Sequence, residues 1–199
     1  MPLIELSEND RFENLSFVLI SGVKDVKIDN LTAVIDKILD LSSREGLVIQ
    51  LFDATKVASW KHLFVAALNA LKAFKHKYNI SSKLGMEILI FASGQRQIRD
   101  AISMLGLSKD TKEVAVVILG SAKDKLDRVL KEIAGMLNGR IDDSILEILS
   151  EHKVRVLRGT FGISDEELET STKSQRFSDI ADALVKCIIN RSSLLVVQR

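Results

Sequence analysis

Four stretches, Phe17 to Ile20, Leu47 to Phe52, Ile88 to Phe91 and Val114 to Leu119, are apolar almost without interruption. A half-exposed strand would alternate, so strands of this composition belong to a sheet covered on both faces. Between them the apolar positions return at helical spacing. Leu31, Val34, Ile35, Ile38 and Leu41 mark a helix over Asp29 to Arg44, and similar patterns predict helices over Thr55 to Tyr78, Gly94 to Leu105 and Ala122 to Leu137. Residues 87–91 are expected as the third strand. The pattern predicts an α/β domain, with a central sheet of about four to five strands and helices on both faces. With 199 residues, residues 1–199 suit a single domain.

After Gly139 the reading is less regular. A short helix is expected over Ser144 to Ser150, a strand over Val154 to Leu157, and helices from Ser164 and over Phe177 to Ile189. The polar stretch Glu169 to Gln175 reads as a surface loop. Pro2 is the only proline, so proline does not mark where elements end.

Known chemistry is mostly excluded. The chain carries no G-x-G-x-x-G, G-x-x-x-x-G-K-[ST] or G-x-S-x-G pattern, and its one cysteine, Cys187, cannot form a disulfide within the chain. His62 and His76 stand 14 residues apart on one expected helix, about 21 Å, too far to share a metal. No catalytic residue, metal or cofactor is therefore expected. The acidic start, Met1 to Glu8, lacks the basic and apolar regions of a signal peptide, and no run reaches the ~20 apolar residues of a membrane span. The expected compartment is the cytoplasm, with no membrane partner.

Charge is distributed unevenly. Net charge is only +1, yet eight basic residues against the single acid Glu87 put Ala54 to Arg99 at +7; the remaining 20 basic and 26 acidic residues leave the rest at −6. Such a segment is either a solvated helix face or a surface for an anion, nucleic acid being the common large one.

Two features favour the second reading. On the helix over 55–78 one stripe, Trp60, Leu63, Phe64, Ala67, Leu68, Leu71, Phe74 and Tyr78, is expected as core. The opposite face, His62, Ala66, Asn69, Ala73 and His76, is small and weakly polar, either a covered surface or a shallow groove. The second feature is Ser93-Gly94-Gln95-Arg96, read as a helix start with Arg96 in the first turn and Arg99 one turn later. Cations are disfavoured there unless an anion sits among them. The alternative is an internal partner for Arg96, Asp53 or Glu87.

The same residues carry a resemblance. Phe52-Asp53-Ala54-Thr55-Lys56-Val57-Ala58 leading into His62-Leu63 and Ala67-Leu68-Asn69-Ala70-Leu71, followed by Gly85 to Ile98 with its Ala92-Ser93-Gly94-Gln95-Arg96-Gln97-Ile98 turn, resembles the PRPK-binding-protein family, the accessory subunit of the KEOPS complex. The match is strongest over residues 50–107, and Asn190 to Leu195 resembles that family's closing strand.

The resemblance implies a non-catalytic subunit that binds a PRPK-type kinase/ATPase. It also implies indirect association with the threonylcarbamoyl-transferring subunit, and help in presenting the CCA end of tRNA for threonylcarbamoyladenosine formation. It assigns nucleic-acid binding to Asn69, Ser93, Gly94, Arg96 and Gln97. Lys61, His62, Lys72 and Arg99 join them on the charge and helix-face argument. The kinase-facing residues are not assigned. Two alternatives stand beside this reading: a purely structural or regulatory bridge to the kinase without RNA contact, and a small nucleotide or phosphate binder.

Overall fold

The computed structural model describes residues 2–174 and 176–197, so Met1 of the acidic start and Gln175 of the polar stretch lie outside the described residues. Five strands form an antiparallel sheet: β1 (Leu3–Glu5), β2 (Phe17–Lys24), β3 (Val48–Asp53), β4 (Glu113–Gly120) and β5 (Arg140–Ile141). Their order is β1-β2-β4-β3, with β5 also on β2. β1 takes the stretch from Phe17 and β5 the stretch ending at Lys24. The α/β class, the strand number and the double cover all agree with the sequence reading.

Alternation along each strand feeds two cores. Leu19, Val23, Ile49, Leu51, Val114, Val116 and Ile118 face one side. There they meet α1 (Leu31–Glu45) and α5 (Lys123–Met136), whose Ile38, Leu41, Leu126, Val129 and Ile133 are buried. Val18, Ile20, Phe52, Ala115, Val117 and Leu119 face the other side, which is covered by a larger helical layer. That layer is built from α2 (Trp60–Lys75), α3 (Leu84–Ser93), α4 (Ile98–Leu105), α6 (Glu151–Phe161), α7 (Asp165–Ser171) and α8 (Phe177–Val197). A 3-10 turn, Ala54–Lys56, links β3 to α2.

Four expectations are corrected. Residues 87–91, read as a strand, belong to α3, whose Glu87 to Ser93 are all buried. A helix submerged on every side is as continuously apolar as a central strand, and periodicity cannot separate the two. Val154 to Leu157 lies within α6, which Ser150 caps through the backbone N–H of Lys153 at 3.2 Å. Asn190 to Leu195 continues α8 rather than forming a closing strand. The expected helix over 144–150 is smaller, a 3-10 turn over Asp143–Leu146.

At the far side of the sheet α3 begins against β3. A Cβ on Gly85 would stand 3.2 Å from both the Ile49 carbonyl oxygen and Gln50 Oε1. Glycine permits this close approach.

Candidate functional site

Helix α2 is the spine of the larger layer, packed against α3 and α8. Its small face is interior: Ala66, Ala70 and Ala73 are buried, and alanine lets the neighbouring helices come close. Of the two readings of this face, the covered one holds for His62, Ala66 and Ala73. The large residues Trp60, Phe64, Leu68 and Phe74, expected as core, are only partly buried. Asn69 is also partly exposed, and Lys61, Lys72 and His76 face solvent.

His62 does not face an RNA. It is fully buried, with Nε2 donating to the Ala92 carbonyl oxygen at 2.8 Å and Phe161 edge-on to its ring at 5.6 Å. Burial lowers its pKa to about 4, against a smaller upward contribution from the Ala92 hydrogen bond. The side chain fastens the start of α2 to the end of α3.

Ser93 is likewise interior, 3% exposed. Its hydroxyl donates to Ile90 O at 3.0 Å and accepts from Gln95 N at 3.2 Å. Ser93 and Gly94 end a helix instead of starting one: Gly94 is the left-handed cap of α3, with φ of 67°. Behind it, Ser192 of α8 lies where a Cβ would make ordinary van der Waals contact at 3.6 Å.

The next helix begins four residues later. Gln97 is the N-cap of α4 without a side-chain bond, and Asp100 supplies the first-turn acid that suits the helix dipole. Arg96 therefore precedes the helix, and Arg99 occupies its first turn. Arg96 is exposed and forms no ion pair among the described residues. Arg99 has a side chain 87% exposed, its Nε 3.7 Å from Asp100 Oδ1.

Neither proposed internal partner reaches Arg96. Asp53 caps the 3-10 turn through Thr55 N and pairs with Lys56 at 3.3 Å. Glu87 is fully buried, accepting Ile80 N through both oxygens and Ser81 N at 2.8 Å. The one acid in the +7 segment is thus withdrawn from its surface. Lys61 leans over the Trp60 ring at 5.9 Å, and Lys72 stands 3.9 Å from Asp10.

The structure thus gathers Lys61, Gly94, Arg96, Gln97 and Arg99 at the end of the layer where α2 begins and α3 ends. Asn69 and Lys72 lie further along α2, about 12 and 17 Å from Lys61 by helical rise. Sequence reasoning missed the exposed isoleucines Ile98 and Ile102 on α4, 39% and 44% exposed. Their four-residue spacing was a usable signal. Among the described residues no group of three or more His, Cys, Asp or Glu is placed to hold a metal, and no helix is long and apolar enough to cross a membrane.

Comparison with known proteins gives two findings. A family described as kinase binding protein CGI-121 matches residues 23–197. The regulatory protein Cgi121 of Methanocaldococcus jannaschii is 34% identical over 146 residues, covering 73% of this chain and 85% of that protein.

Proposed function

The chain belongs to the kinase-binding CGI-121 family, and from that premise we propose that it is the non-catalytic subunit of a KEOPS-type complex. In this role it holds a PRPK-type kinase/ATPase and helps to recruit tRNA through its single-stranded CCA end for threonylcarbamoyladenosine formation. It is a regulatory protein that acts by binding rather than by catalysis.

One observation supports the RNA part of this reading. The +7 segment has its only acid buried, and Arg96 stands exposed with no ion pair among the described residues, three positions before the largely exposed Arg99. Phosphates are the natural partners of such a pair of guanidinium groups. Gln97 lies between them in the chain, and Lys61, Asn69 and Lys72 are the exposed or partly exposed residues of α2 that would extend the surface. His62 and Ser93 contribute as interior supports.

A second reading has its own observation. Ile98 and Ile102 interleave with the arginines as an exposed apolar ledge on α4, and this favours a protein interface, with the chain serving only as a bridge to the kinase.

Fluorescence anisotropy with whole tRNA and with tRNA lacking its CCA end, at two salt concentrations, tests the proposal. Salt-sensitive binding that depends on the CCA end is expected, and replacing Arg96 and Arg99 together by Glu should weaken it about tenfold while the fold is kept. Unchanged tRNA affinity in that variant, with lost kinase binding, would establish the bridging reading instead.

A further inference from the structure

The basic surface has a second end. Helix α2 carries the chain about 24 Å from Trp60 to Lys75, away from Arg96 and Arg99. At its far end the loop to α3 presents Lys77 and Lys83. Both are exposed, and neither forms an ion pair among the described residues.

The helix dipole does not explain them. Lys72 and Lys75 in the last turn of α2 complement its carbonyl end, and each has a local acceptor, Asp10 or the Asn9 carbonyl oxygen. Lys77 lies beyond the cap at a φ of 59°, and Lys83 is the N-cap of α3, where the dipole repels a cation. The loop is held by the buried Glu87, whose carboxylate accepts Ile80 N and Ser81 N. That carboxylate is buried and holds the loop from inside, so these lysines meet solvent in a fixed loop and form no ion pair among the described residues. Beside them the exposed His76 ring stacks on Tyr78 at 6.4 Å and 6°, a flat surface next to the charge.

We infer that this tip is a second RNA contact, binding the phosphate backbone of the same tRNA whose single-stranded end meets Arg96 and Arg99. The inference rests on the RNA reading above. It also narrows the ligand. The two basic ends are separated by more than twice the ~10 Å Debye length, so they act on separate phosphates, and only a polyanion reaching across about 24 Å occupies both. A mononucleotide cannot.

The test compares two variants on two probes. Lys77→Asn with Lys83→Glu removes the tip's charge without harming the fold, because asparagine tolerates the left-handed backbone and an acid suits a helix start. Arg96→Glu with Arg99→Glu removes the other end. The probes are whole tRNA and a short single-stranded oligonucleotide ending in CCA. The lysine variant should bind whole tRNA about tenfold more weakly, with a salt dependence shallower by roughly 1.5 to 2 in log–log slope, and should bind the oligonucleotide as wild type does. Whole-tRNA affinity unchanged in the lysine variant overturns the second contact, and if the arginine variant still loses both probes, the first site stands alone. A loss confined to the lysine variant keeps the tip and overturns the arginine site. No tRNA binding by the wild-type protein overturns both.

Discussion

The Nε2 of His62 lies 2.8 Å from the carbonyl oxygen of Ala92. A carbonyl can only accept, so Nε2 carries the proton. Nδ1 is left to accept the Ala58 N–H at 3.5 Å. The neutral ring is therefore matched on both sides, and a second proton has no place to go.

Acid should accordingly loosen the protein. The pKa of His62 in the folded chain, about 4, lies below its ordinary value of 6.5, so its contribution is complete above pH 6.5 and is lost as the pH falls toward 4. The difference amounts to about 3 kcal/mol at most. Urea unfolding at pH 7 and pH 4.5 measures it. His62→Gln, which does not titrate, should lessen the pH dependence in that interval.

Lys153 predicts the opposite end of the pH scale. Its ammonium donates to the Ile145 carbonyl oxygen, and burial lowers its pKa to about 8 despite the upward influence of Glu113, Glu147 and Asp53. Between pH 8 and the ordinary 10.5 the unfolded chain binds the additional proton, so this group makes stability rise with pH there. Thermal melts from pH 7.5 to 10.5 should show that contribution in the wild type and not in Lys153→Met.

Glu87→Gln should cost about 2 kcal/mol. The amide keeps one acceptor oxygen but turns a donor toward Ile80 N or Ser81 N, where the carboxylate now accepts. Denaturant titration would register the loss as a lower midpoint with an unchanged slope.

Gly22→Ala tests how tightly β2 meets the segment after β5. A Cβ there would stand 2.5 Å from Ile145 Cγ1 and overlap the Asp142 carbonyl oxygen. Overpacking of this kind costs about 1–3 kcal/mol, and a lowered melting temperature is the expected result.

The sheet was legible because each of its long strands is apolar on both faces, and α1 and α5 because their apolar stripes are narrow. Helix α3 was not, since Ile88 to Phe91 are buried all round and show no stripe. Misplacing it turned Ser93 and Gly94 from a helix end into a helix start, although a glycine following a ten-residue run fits a left-handed cap just as well. The excess of positive charge could be counted directly. Which cations remain unpaired could not, because the burial of Glu87 and the capping role of Asp53 depend on contacts made only in the folded chain. The same holds for His62, whose alanine-rich surroundings read as either a covered face or a groove, a choice that only the packing of α3 and α8 decides.

The close seat of Gly85 on the β3 backbone limits how anything can join this molecule. On that side the sheet ends beneath a helix, and on the other it ends in strands of three and two residues. Among the described residues the covered start of β3 and these two short strands leave little open ladder to extend, which disfavours recruitment by main-chain pairing. Whatever assembles with this chain is left to recognise side chains, on its helices and on the loops that join them.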